Sequence, residues 1–475
     1  MFDDKLREEC GVLGIYSPEN EVLAQMMGFG LVALQHRGQE SAGIATSNKG
    51  TMNYYKDMGL VQDVFTNKIL ERLQGDVSIG HVRYSTTGES YVSNAQPLVV
   101  NYKGGSIALA HNGNLVNADK IRERLEDEGS IFQTSIDSEV IANLIARNYS
   151  HGFKDAIKEA ISEIKGAFAL TIICENKLIG VRDPNGLRPL CLGKLDGGFV
   201  LASESCALDV VGAEFIRDIE KGEMVIIDDE GVESIIYDDT KRKSHCIFEY
   251  VYFARPDSKM DGESVYITRR DAGRELAKEF KIDADVVIAV PDSGIDAAIG
   301  YAEASGIPYG VGLIKNKYIG RTFIQPDQKS RELAVRLKLN PLTENIKDKR
   351  VIMIDDSIVR GTTSKKIVSS LRKAGAKEVH VLVSSPPVVH SCYFGIDTPE
   401  RKELVGAVKS VEEIRQMIGA DSLGYISVEG LMRSVHKTSD NLCVACFNGD
   451  YPLEVPKSAS KFMFETNKAV EIKNT

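Results

Sequence analysis

What the 475-residue chain lacks narrows its reading first. No apolar run reaches the roughly 18 residues needed to cross a bilayer, so no membrane-spanning helix is expected. The opening stretch M-F-D-D-K-L-R-E-E is charged and has no apolar h-region, which excludes a secretory signal. Cysteine is sparse: eight residues in 475 are too dilute for a disulfide scaffold and point to a reducing cytoplasm. Basic excess is missing. Lys and Arg number 58 against 68 Asp and Glu, a net charge of −10, which argues against a nucleic-acid surface. The pattern G-x-x-x-x-G-K-[ST] is absent, so phosphate is not held by a Walker loop. What remains is an ordinary globular composition, 43% hydrophobic and 27% charged, with length for two or three domains.

The most informative stretch is V-I-M-I-D-D-S-I-V at Val351–Val359, followed by Arg360-Gly361-Thr362-Thr363. Four apolar residues in a row predict a buried strand with Asp355 and Asp356 at its C-terminal end. A helix is expected from about Thr362 to Lys373, ending before Gly375. In an open α/β sheet, ligands bind at the C-terminal edge of the strands, and a helix start offers N–H groups to phosphate. Paired acids can hold ribose hydroxyls or hydrated Mg²⁺. The pattern suits a phosphorylated sugar, although a strand with acids at its mouth also occurs without one. Upstream, Pro291-Asp292-Ser293-Gly294 reads as a turn between a strand at Ala284–Pro291 and a helix at Ile295–Ala304. Lys315–Asn340 carries four Lys and three Arg and is long for a loop inside a compact domain.

The N-terminal half offers a different chemistry. Cys10 precedes the β-prone run G-V-L-G-I-Y and, taken alone, reads as a buried small hydrophobe. His36–Ile44 reads as a polar loop entering a small-residue strand. Gly80–Gly88 places Arg83 and hydroxyls just past a short strand. Ile107–Ala110 reads as a strand and His111-Asn112-Gly113-Asn114 as a tight turn at its end. Asp137-Ser138 precedes an amphipathic helix, where Asp137 could serve only as a cap. Short β-like runs alternate with turns through residues 166–240, with Cys174, Cys191 and Cys206 as packing residues, and Asp238–Ser244 is a charged linker. Near the C-terminus, Cys443-x-x-Cys446 could be a zinc half-site, a redox pair or a coincidence. Cys246 and Cys392 would complete four thiolates if the fold gathers them.

Two resemblances organise these motifs. C-G-V-x-G, H-R-G-Q-E-S-A-G-I, R-Y-S-T-x-G, H-N-G-N and S-I-D-S-E, in this order over residues 10–240, resemble the N-terminal-nucleophile glutamine amidotransferases. That implies an αββα sandwich with Cys10 as the nucleophile, its own α-amino group as the base, and Met1–Glu9 as a propeptide. It also implies Asn112 and Gly113 as the oxyanion hole, with Arg83, Thr86 and Asp137 binding glutamine. The run D-D-S-I-V-R-G-T-T resembles the phosphoribosyl pyrophosphate (PRPP) motif of type I phosphoribosyltransferases, which implies a Rossmann-like parallel sheet over about residues 260–410. Ser293, Gly294, Asp355, Asp356, Ser357, Gly361, Thr362 and Thr363 would then hold PRPP, with Mg²⁺ at Ser293, Asp355 and Asp356. Together the halves resemble the amidophosphoribosyltransferase family. The resemblance implies a basic loop carrying Lys315, Tyr318 and Arg321 that closes over PRPP. It implies a [4Fe–4S] cluster on Cys246, Cys392, Cys443 and Cys446, with zinc as the alternative metal. Residues 411–475 would then pack on both domains. A homotetramer inhibited by purine nucleotides is implied too. A PRPP-sensing regulator is the rival from another class, and it would need a basic DNA-binding head, which residues 1–240 do not show.

Overall fold

The computed structural model describes residues 10–18, 20–84, 90–316, 339–436 and 441–456. Thr86, Tyr318, Arg321 and the segment Met1–Glu9 lie outside the described residues.

The first half is a two-sheet sandwich. Its strands in chain order are β1 (Gly11–Tyr16), β2 (Ser41–Asn48), β3 (Thr51–Met58), β4 (Val77–Arg83), β5 (Leu98–Tyr102), β6 (Gly105–Leu115), β7 (Gly166–Cys174), β8 (Lys177–Arg182), β9 (Cys191–Leu195), β10 (Gly198–Ala202), β11 (Glu214–Asp218), β12 (Glu223–Asp228) and β13 (Gly231–Ile236). One antiparallel sheet runs β11-β9-β10-β1-β4-β2-β3 and the other β13-β12-β8-β7-β6-β5. β7, G-A-F-A-L-T-I-I-C, is buried on both faces, which its near-continuous apolar run requires of a strand between layers. Three packed clusters mark the layers. Leu13, Ile15 and Ile44 meet helix α1 (Leu23–Ala33) outside the first sheet. Val12, Ile79, Ala108, Leu178 and Val225 fill the space between the sheets. Leu109, Ile172 and Ile179 meet helices α2 (Ala118–Asp127), α3 (Ser138–Asn148) and α4 (Phe153–Glu163) on the far side. The order is αββα.

The second half is built on four parallel strands: β14 (Val286–Ala289), β15 (Arg350–Asp355), β16 (Glu378–Val383) and β17 (Ser422–Tyr425). Helices α5 (Val265–Glu279) and α6 (Ile295–Ser305) cover one face. Helix α7 (Thr362–Lys373) covers the other. The helix expected over Thr362–Lys373 has those limits. Ala289 pairs with Ile354, so the turns after β14 and β15 leave the sheet side by side. That neighbourhood at the C-terminal edge places the second site.

One local expectation is corrected. His111–Asn114 is not a turn; β6 continues through it, with Asn112 opposite Ala169 and Gly113 opposite Phe168 on β7. Gly113 adopts φ +148, and a Cβ there would meet the Ala167 carbonyl oxygen at 1.9 Å. A glycine inside a strand here serves close backbone approach rather than reversal.

Candidate active sites

Cys10 stands just before β1, whose Gly11 pairs with Val82, one residue short of Arg83. The Cys10 thiol donates to the Tyr84 carbonyl at 3.3 Å, and its own carbonyl accepts from Arg37 Nε at 3.0 Å. Burial pushes the thiol up to about 11, against the pull of the Tyr84 hydrogen bond and the Arg83 charge. At neutral pH only about one thiol in 10⁴ is then ionised, so reactivity here requires a base.

The two sheets are joined at this end, where His81 Nε2 lies 3.1 Å from the His111 carbonyl oxygen. Next to His111, Asn112 is 1% exposed, and neither its side-chain nitrogen nor its oxygen has a hydrogen-bond partner among the described residues. An amide buried in this way costs about 1–3 kcal/mol. Asp137 completes the group. Burial alone would raise it, but the His111 ring, the Leu115 N–H (2.9 Å from Oδ2) and Ser138 hold it below the ordinary carboxylate range. It stands at the N-cap position of α3, but its side chain makes no capping hydrogen bond. Arg83, 2% exposed, ends β4 rather than lying on a solvated rim. The buried corner thus gathers a thiol, an unpartnered amide, a guanidinium and a carboxylate. Such a set is suited to a free amino acid carrying one charge of each sign.

Sequence reasoning missed three neighbours. Lys56 donates to the Ala95 carbonyl, and burial followed by the Arg83 charge lowers it to about 8. Arg37 belongs to the motif H-R-G-Q-E-S-A-G-I, which assigns it no role of its own. It is fully buried, bonding Glu204 Oε1 at 2.6 Å and Glu249 Oε1 at 2.7 Å. Glu249 opens a five-residue π-helical turn, Glu249–Phe253, inside an otherwise apolar run. Arg269 on α5 is buried beneath the second site and donates to the carbonyls of Tyr250 and Ala254, each at 2.7 Å. Burial lowers its basicity, opposed by Asp296 and Asp356. Only Glu249, a charge inside the apolar stretch Ile247–Phe253, carries a sequence signal.

At the second site, Asp355 closes β15 and Asp356 follows it; both are buried. The Ser357 hydroxyl donates to Asp356 Oδ2 at 2.6 Å, and the Ser293 hydroxyl donates to Asp356 Oδ1 from the neighbouring turn. Lys315 forms an ion pair with Asp292 of that turn. Gly294 must be glycine, because a Cβ would stand 2.5 Å from the Ile354 carbonyl oxygen and force the two turns apart. Gly361 adopts φ +81 and turns the chain into α7, where Thr362 and Thr363 begin the helix. The arrangement is a pair of phosphate-sized turns around a carboxylate floor.

Cys246, Cys392, Cys443 and Cys446 line one cavity with Leu187, Arg188 and Tyr451. His245-Cys246 pairs in parallel with Leu442-Cys443, which brings the distant chain segments together. Among the described residues, no three Cys, His, Asp or Glu side chains converge as closely as a single ion requires. Cys174, Cys191 and Cys206 are buried packing residues, and no helix among the described residues is long and apolar enough to cross a membrane.

Residues 81–210 match the glutamine amidotransferase domain family and residues 263–411 the phosphoribosyl transferase domain family. The chain is 51% identical to the amidophosphoribosyltransferase of Synechococcus elongatus, over 98% of this chain and 95% of that one. It is 52% identical to the amidophosphoribosyltransferase of Bacillus subtilis, over 95% of each. Among solved structures, it aligns at TM-score 0.90 and 50% identity with the B. subtilis glutamine PRPP amidotransferase complexed with ADP and GMP, covering 95% of this chain and 99% of that one. It also aligns at TM-score 0.90 and 51% identity with a structure described as the allosteric regulatory enzyme of purine biosynthesis, covering 94% and 97%.

Proposed function

Because the chain belongs to the amidophosphoribosyltransferase family, we propose that its two sites act in series on glutamine and PRPP. The reaction is glutamine + PRPP + water → 5-phosphoribosylamine + glutamate + pyrophosphate, the first committed step of purine synthesis. The observation that carries the first half is the buried Asn112 amide, without a partner among the described residues, on the strand whose Leu115 N–H bonds Asp137, a carboxylate near enough to act on the Cys10 thiol. A protein keeps such a group dry and unpaired when a ligand oxygen completes it.

Cys10, freed as an N-terminal residue by removal of Met1–Glu9, uses its own α-amino group to take the thiol proton. The thiolate attacks the glutamine amide carbon, and the oxyanion is received by the Asn112 side chain and the Gly113 N–H. Arg83 and Thr86 take the substrate carboxylate and Asp137 its ammonium. The released ammonia passes inside the protein to C1 of PRPP, which Asp355 and Asp356 hold by the ribose. Gly361, Thr362 and Thr363 hold the 5-phosphate. Ser293 and Gly294 hold the pyrophosphate, and Lys315, Tyr318 and Arg321 cover it. The hard oxygen donors Ser293, Asp355 and Asp356 would hold Mg²⁺, which when bound would supply positive charge beside the pyrophosphate.

Four thiols, of Cys246, Cys392, Cys443 and Cys446, line the cysteine cavity. They would hold a [4Fe–4S] cluster acting as a structural tie there, with zinc as the alternative metal. We assign the protein to the cytoplasm as a homotetramer inhibited by purine nucleotides. The support for that inhibition is the relative solved with ADP and GMP.

The test is glutamate and pyrophosphate release by anaerobically purified protein, with and without PRPP, beside Cys10→Ala. Equal release of both only with PRPP is the expected result, as is a variant that works only with added ammonia. Glutamate without pyrophosphate would instead make the second half a PRPP sensor or give it another acceptor.

A further inference from the structure

The second domain reaches across and touches the strand that carries the proposed oxyanion hole. Asn114, two residues beyond Asn112 on β6, donates from Nδ2 to the Tyr393 carbonyl at 2.9 Å. Arg188, 1% exposed, donates from Nε to the Phe394 carbonyl at 2.9 Å, a contact between residues 206 positions apart. Gly395 follows with φ +111; a Cβ there would stand 3.2 Å from both Cα and the carbonyl carbon of Gly113. On its other side Gly113 is pressed against Ala167. The Gly113 peptide therefore lies between its own sheet and a loop of the other domain, with no room for a Cβ on Gly113 towards the sheet or on Gly395 towards Gly113.

That loop is itself fixed. Phe394 N–H donates to Cys392 Sγ at 3.3 Å, the Tyr451 ring packs edge-on against Phe394, and Phe394 is buried with Ala167 and Leu187. A surface loop needing only to be covered would not take two side-chain hydrogen bonds to successive carbonyls and a glycine contact on the adjoining peptide.

We propose that Asn114, Arg188 and Gly395 are positioning residues for glutamine hydrolysis: they seat the Cys392–Gly395 loop against Gly113 and so aim its N–H at the oxyanion. The proposal rests on the reading of Gly113 as an oxyanion donor. None of the three touches substrate; they act through Gly113. Displacing a donor by about 1 Å costs on the order of 10² in rate, so loosening one anchor of the loop should cost about tenfold.

The experiment uses the full, processed enzyme carrying Asn114→Ala, Gly395→Ala or Arg188→Lys. Three quantities are read: kcat and KM for glutamine hydrolysis, phosphoribosylamine formation from ammonia, and inhibition by the glutamine analogue with an aldehyde in place of the amide. The thiol adds to that aldehyde and presents an oxyanion. The expected result is a fall in glutamine kcat of about tenfold or more with KM held within about twofold, a parallel weakening of the aldehyde, and unchanged ammonia-dependent activity. Unchanged kcat in Asn114→Ala overturns the proposal. So does a kcat loss without weaker aldehyde binding, or an equal loss of ammonia-dependent activity, since a packing defect would move both reactions together. If Gly395→Ala does not fold, Asn114→Ala and Arg188→Lys still decide: the first removes the donor to the Tyr393 carbonyl, and the second keeps the charge near Glu249 while replacing the guanidinium that donates to the Phe394 carbonyl. Full glutamine hydrolysis by Cys10→Ala would instead bring down the underlying reading of the site, a result separate from any of these.

Discussion

Truncating Asn112 to alanine should separate stability from activity. A buried polar side chain shortened to alanine ordinarily costs stability, because its partners lose their bonds. Here the amide has no hydrogen-bond partners to lose among the described residues. Removing it relieves a desolvation penalty of about 1–3 kcal/mol, while the void left behind costs an amount of the same order. The two offset each other, so the denaturation midpoint should stay within about 1 kcal/mol of wild type, against the 2–5 kcal/mol of a typical large core truncation. Activity has no such offset. Losing one oxyanion donor costs about 10²–10³ in kcat, or about 2.7–4 kcal/mol of barrier. The assay pairs chemical denaturation of processed Asn112→Ala with its glutamine hydrolysis and with pyrophosphate release driven by added ammonia, which should persist. A marked fall in midpoint together with normal kcat would refute the reasoning, because the amide would then be serving the fold rather than the reaction.

Three further outcomes follow from the geometry. Gly294→Ala should raise KM for PRPP and cut ammonia-dependent pyrophosphate release by more than about tenfold, because its Cβ meets the Ile354 carbonyl at 2.5 Å; steady-state kinetics with PRPP as the varied substrate checks this. Lys56, lowered to about 8, binds its proton less tightly when folded than the roughly 10.4 of an unfolded lysine, so between those values the unfolded chain carries the extra proton and stability rises with pH. Denaturation midpoints from pH 7.5 to 10.5 should show that rise in wild type and lose it in Lys56→Met. Cys392→Ser should abolish iron and acid-labile sulfide binding and the visible absorbance that accompanies it, with metal analysis finding no stoichiometric zinc in either protein.

Much of both sites was legible because their residues are close in sequence and sit on repeated local devices. Asp355, Asp356 and Gly361 occupy a strand end and the first turn of a helix, and four apolar residues followed by two acids encode that arrangement. His111–Asn114 misled because polar residues and a glycine resemble a turn. They are strand residues paired with β7, and Gly113 is there for close approach to Ala167. What could not be read was everything carried by distant pairing. Arg37 and Glu249 are 212 positions apart, and each is unremarkable until the other neutralises it in the interior. The π-helical turn at Glu249–Phe253 has no periodic signature either, since five mostly aromatic residues suit a strand equally well.

The two-residue pairing of His245-Cys246 with Leu442-Cys443 has a consequence for how the protein is made. Synthesis delivers the sandwich first, the parallel sheet next, and the partner of Cys246 after both. Until Cys443 and Cys446 leave the ribosome, the wall of the cysteine cavity is incomplete and Cys246 waits at the seam between the two domains. The joint between the domains is thus fastened after both have been built. A chain interrupted shortly before residue 443 would carry two folded halves and an unfinished seam.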